Sequence, residues 1–158
     1  MTPSLAQARL LALLIPAALL AGAWGSQLIG HLYPCEMCHW QRWPHYAALV
    51  AALAAFALPV EARGLTLLAA VLIAGSGAIG VYHAGVEWGW WHGVTACTQT
   101  ATFAGSSADD RLAALLRAPM IRCDVAQWRL AGVSLAGWNA LVSLVGAGAV
   151  IFLAEKRA

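Results

Sequence analysis

Charge is the scarcest commodity in this chain of 158 residues: Asp, Glu, Lys and Arg make up 10% of it, where an ordinary soluble domain carries about a quarter. Lys156 is the only lysine among nine basic residues. A formal net charge of +2 spread thinly along the chain forms no basic stripe, which excludes nucleic-acid binding through phosphate contacts. Disorder is excluded as well, because 61% of the residues are hydrophobic and the mean hydropathy is +0.72. No internal repeat, low-complexity tract or linker interrupts the sequence, and residues 1–158 read as a single domain.

Long apolar runs are abundant. A bilayer core of about 30 Å needs roughly 20 apolar residues in helix, since an unpaired backbone group in lipid costs several kcal/mol. Four stretches qualify, at about 10–29, 43–58, 65–82 and 130–153. The fold class expected is therefore an all-α membrane protein, a four-transmembrane-helix bundle. Outer loops fall at about 30–42 and 83–129, and only Pro59 to Gly64 separates the second and third spans. Four spans place both termini on one side and both outer loops on the other. Charge does not orient the chain: Arg9, Arg63, Lys156 and Arg157 lie on the terminal side, Arg42, Arg111, Arg117, Arg122 and Arg129 on the other. A cleaved leader ending near Ala21 to Ala23 competes with the first span, but the apolar run continues to Ile29. Within the long loop, Ser107 at an N-cap position, Asp110, then Leu112, Leu115 and Leu116 predict a short amphipathic helix over Ser107–Ala118.

Each outer loop holds two cysteines: Cys35 and Cys38 in the first, Cys97 and Cys123 in the second. None lies within a span, although free cysteine packs readily in apolar surroundings. Paired cysteines persist as disulfides only in an oxidising compartment, so both loops are expected outside the cytoplasm. Three chemistries fit Cys35-Glu36-Met37-Cys38. A structural zinc site wants a second compact pair, which Cys97 and Cys123 do not supply. With His39 the motif is C-x-x-C-H, the attachment signature of c-type haem. A thiol redox centre uses both pairs, passing electrons between them by thiolate exchange. The surroundings favour the third: Arg42 lies one turn beyond Cys38, where its charge and the helix N-terminus would hold a thiolate. A lone arginine at a span end would instead snorkel to the headgroups.

Tyr33 to Arg42, with Pro34 before the first cysteine and Gln41-Arg42 after the second, resembles the first periplasmic loop of the DsbB family of bacterial quinone-dependent disulfide bond formation proteins. Gly80 to Trp88 and Pro119 to Asp124 are similar to the borders of that family's second loop, and Ser134 to Asn139 to its fourth span. The resemblance implies a bacterial inner-membrane protein with cytoplasmic termini and periplasmic cysteine loops. It implies that a DsbA-like thioredoxin-fold partner attacks a Cys97–Cys123 disulfide, most readily at Cys97, and that electrons pass to Cys35 and Cys38. Cys38, as thiolate, would then engage ubiquinone or menaquinone near Arg42, with the membrane quinone pool as acceptor and no metal. His83 would serve as proton relay or quinone contact, sharing a helix face with Glu87. Such a carrier disulfide is expected to be exposed and labile. His31, His39, His45 and His92 are expected near the outer surface, the eight tryptophans in an interfacial belt, and Asn139 as an interhelical hydrogen-bonding residue.

Overall fold

The structure, a computed structural model, describes residues 3–95, 97, 107–109, 112, 116 and 121–156. Four long helices follow one another: α1 (Pro3–Leu28), α2 (Glu36–Ala57), α3 (Ala62–Glu87) and α4 (Leu135–Glu155). Before α4 stands a two-residue antiparallel pair, β1 (Arg129–Leu130) with β2 (Val133–Ser134). Ala131 and Gly132 form its turn with φ of 51° and 80°, the doubly left-handed turn that matches strand twist. Helices α1, α3 and α4 are each long and apolar enough to cross a membrane. Helix α2 differs because its first half carries Glu36, His39, Gln41, Arg42 and His45.

Helix boundaries depart from the hydrophobic runs in a consistent way. Residues 36–42, expected in the first outer loop, are the first two turns of α2. Likewise α3 continues through His83 to Glu87, past the expected end at Tyr82. A helix ends where its backbone bonds are capped, not where the hydrocarbon stops. The opposite holds at the last span: Leu130 belongs to the hairpin, and α4 begins at Leu135, capped by Ser134 Oγ, which accepts the Gly137 N–H at 3.2 Å. Of the amphipathic helix expected over Ser107–Ala118, Ala108, Asp109, Leu112 and Leu116 are helical. Its remaining residues after Ser107, including Arg111 and Arg117, lie outside the described residues, as does Arg157 at the C-terminal side.

Helix α3 packs against both α2 and α4, and α1 closes the bundle against the same two. Toward the termini the contact is made by small side chains: Ala8 and Ala12 of α1, Ala48, Ala51 and Ala52 of α2, Ala69 and Ala70 of α3, Ala147 and Ala154 of α4. Their helical spacing lets backbones approach closely, which is how helices gain dispersion energy where lipid is as apolar as leucine. Arg9, 5% exposed, is drawn into this end with its guanidinium 4.3 Å from the Phe56 ring centre. Val50, Leu53, Val71, Leu141 and Val145 remain exposed on the outer faces, as lipid contact requires.

Candidate functional site

The site starts where α2 starts. Pro34 biases Tyr33 toward extended backbone, and Cys35 (φ −77°, ψ 174°) is the N-cap of α2, its sulfur accepting the Cys38 N–H at 3.3 Å. One helical turn then brings Cys38 back over Cys35, and the two free thiols stand 2.8 Å apart. Cys97 and Cys123 are joined as a disulfide. Cys35, Met37, Val86, Cys97 and Cys123 form one buried cluster with Cys38 packed against it. Cysteines from two loops thus share a single core. The Cys97–Cys123 disulfide is buried, Cys97 being 7% and Cys123 0% exposed, where an exposed one was expected; the cause is its packing against Cys35, Met37 and Val86.

Within the Cys35–Cys38 pair the proton belongs on Cys35. Hydrogen bonding between the two sulfurs pushes the Cys35 thiol well up and holds Cys38 below the ordinary thiol range. Burial works against the Cys38 thiolate, while its bond with Cys35 and the Arg42 charge outweigh that. Arg42 is no headgroup anchor: at 7% exposure it is buried and reaches across to α1, donating to Gln27 Oε1 at 2.8 Å and to the Ala23 carbonyl at 3.0 Å. The Trp24 ring lies 5.3 Å from its guanidinium carbon.

His83 meets both cysteine pairs. Its Nε2 is 3.1 Å from the Cys123 carbonyl, 3.6 Å from Cys35 Sγ and 3.8 Å from Glu87 Oε1. The protonation of this ring follows from a chain of partners. Gln41 Nε2 donates to the Met37 carbonyl at 3.2 Å, which accepts only, so the amide orientation is determined. The same Nε2 donates to His83 Nδ1 at 2.8 Å, leaving the proton of neutral His83 on Nε2, directed at Cys123. Gln41 Oε1 accepts from Asn139 Nδ2 at 2.9 Å, so Asn139 Oδ1 must accept, and His45 Nε2 donates to it at 2.9 Å. Ser76 Oγ closes the group, donating to the Gln41 carbonyl at 2.8 Å. His45, expected near the surface, is therefore buried at 2% exposure among α2, α3 and α4. Asn139 bridges helices as expected. Gln41, Ser76 and His45 were missed as site members; the signal available was a row of polar residues on helices otherwise apolar.

A cavity of about 250 Å³ opens beside this group. Ala18, Leu19, Leu20 and Ala23 of α1 give it an apolar wall; Cys35, Cys38, Arg42, His83, Glu87, His45 and Asn139 are among the residues lining the rest. An apolar slot with a few convergent polar groups suits a small lipid-soluble ring, with Cys38 and Arg42 at its polar end. Cys35, Cys38 and His83 present donor atoms within 4.8 Å of one another, yet a metal would need the Nε2 lone pair that the Gln41 bond leaves protonated. Haem attachment is poorly served too, because His39 is exposed while Cys35 is buried against Met37 and Val86.

Comparison with curated proteins and with solved structures finds no match. A family model, "Disulfide bond formation protein DsbB", matches residues 6–153, nearly the whole chain including all four helices and both cysteine pairs. The chain therefore belongs to the DsbB family of four-span membrane oxidoreductases, quinone-dependent thiol oxidases that form disulfide bonds.

Proposed function

We propose that this protein lies in the bacterial inner membrane with its termini in the cytoplasm, and reoxidises a DsbA-like periplasmic thioredoxin-fold dithiol at the expense of ubiquinone or menaquinone. The observation that carries the reading is the shared cluster: two cysteine pairs in one core, beside a cavity whose opposite wall is apolar. A partner thiolate attacks Cys97, and Cys123 leaves as thiolate. Cys123 then attacks Cys35, releasing Cys38 as thiolate, and the partner's second thiol frees Cys97 as the partner disulfide closes. Attack of Cys97 on Cys123 restores the second-loop disulfide and leaves the reducing electrons on Cys35 and Cys38. Quinone supplies the oxidising power, taking two electrons and two protons to leave as quinol. Arg42, fixed to α1, holds positive charge beside Cys38 and the slot.

The test uses the purified full chain, a reduced thioredoxin-fold partner and a soluble quinone. Cys38→Ser is expected to abolish quinone reduction, and Cys97→Ala to stop partner oxidation. Arg42→His should raise KM for quinone while disulfide exchange with the partner stays intact. Unchanged turnover in either cysteine variant refutes the route; an unmoved KM removes Arg42 from the quinone end.

A further inference from the structure

Glu87 closes α3 at the cysteine end with its side chain only 6% exposed. Its Oε1 lies 3.8 Å from His83 Nε2, while Oε2 is buried with no hydrogen-bond partner among the described residues. It lines the same cavity as Cys35 and Cys38, and its charge acts on both sulfurs. An unpaired buried carboxylate oxygen is costly, and here it stands where the proposed reaction creates a second negative charge. Two anions in one desolvated pocket are not held together; one takes a proton.

We infer that Glu87 is the proton store of the site, ionised while Cys35 and Cys38 are a disulfide and protonated once Cys38 is a thiolate. The inference rests on the quinone reading above and supplies what that reading leaves open, the second proton. A pair reduced to Cys35 thiol and Cys38 thiolate holds two electrons but one proton, and quinol needs two of each. With Glu87 the step balances: Cys35 thiol, Cys38 thiolate, Glu87 carboxylic acid and quinone give the Cys35–Cys38 disulfide, Glu87 carboxylate and quinol. The sulfurs are oxidised, the quinone is reduced, and the protons come from Cys35 and Glu87. Reduction of the pair by the next partner dithiol, which releases two protons, reloads both. The groups that bear on Glu87 are His83 on its own helix, Cys35, Cys38 and Arg42 from α2, Arg129 from the hairpin and Arg122 across the cavity. Ser134, which caps α4, faces it as well. Neutral His83 stands between Glu87 and Cys35, its Nε2 3.8 Å from the one and 3.6 Å from the other, and adds no charge there.

Proton counting without quinone tests this separately from turnover. The fully oxidised full chain is reduced with a water-soluble phosphine in weak buffer containing a pH indicator. Glu87→Gln is expected to release about one proton more per chain than the parent, because the proton the carboxylate would take goes to bulk. Reduced-minus-oxidised infrared spectra should show a carboxylic-acid band that vanishes in Glu87→Gln and persists, shifted, in Glu87→Asp. With quinone present, Glu87→Gln should slow quinol formation increasingly as pH rises, since bulk must supply the proton. Equal proton release by parent and Glu87→Gln, or a band indifferent to position 87, overturns the inference whatever the turnover shows. Failure of Cys38→Ser to stop quinone reduction would instead overturn the quinone reading and leave the proton count standing.

Discussion

The two ends of the bundle hold together by different means. At the terminal end α1 to α4 meet through alanines, whose contacts are individually weak and indifferent to neighbouring chemistry. At the cysteine end α2, α3 and α4 meet through Gln41, His83, Asn139, His45 and Ser76, where Gln41 fixes the roles of His83 and Asn139, and Asn139 that of His45. Contact area tolerates small errors, but a hydrogen-bond chain fails at every member when one is lost. The difference assigns scaffold to one end and chemistry to the other.

The largest expected effect breaks the chain at its hub. Gln41→Leu removes the partner of His83 Nδ1 and a partner of Asn139, and buried groups left unpaired cost about 1–3 kcal/mol each. Thermal unfolding in detergent should show a loss of about 3 kcal/mol together with a collapse of quinone reduction. At the alanine end, Ala52→Leu inserts a side chain at a fully buried contact and should cost about 1–3 kcal/mol by overpacking. Turnover per folded molecule should stay at the parental value there; a variant at Ala52 that slowed quinone reduction as severely as Gln41→Leu would erase the contrast between the ends. The smallest effect concerns charge alone. The Cys38 thiol, held below its ordinary range, should alkylate at lower pH than an ordinary thiol, and Cys35 only at higher pH. Arg42→Gln should move the Cys38 alkylation profile slightly to higher pH, because removing a nearby positive charge disfavours the thiolate and Arg42 is the least of its causes.

Hydropathy made four helices visible, and the C-x-x-C with Pro34 and Arg42 made the redox centre visible, since both signals are local. The helical state of residues 36–42 was hidden because those residues are polar, and polarity marks contact with water rather than loss of helix. His45 was misplaced for a related reason: its identity near a span end suits an interfacial residue equally well, and its partner Asn139 lies 94 positions away. The approach of Cys35 to the other pair depends on how α2 and α3 pack, which no spacing within either loop records. Gly80 is similar, since a Cβ there would stand 2.9 Å from the Ala136 carbonyl; it permits the α3–α4 approach that carries Asn139 inward, yet reads as an ordinary membrane glycine.

The Met37 carbonyl belongs to the polar chain, and as backbone it is a member that no side-chain substitution can delete. It neither titrates nor rotates, and through Gln41 it determines which nitrogen of His83 and, by way of Asn139, which nitrogen of His45 bears hydrogen. The tautomers of both rings are thus a property of the winding of α2. Inserting a single residue between positions 37 and 41 would keep every side chain and unset both rings.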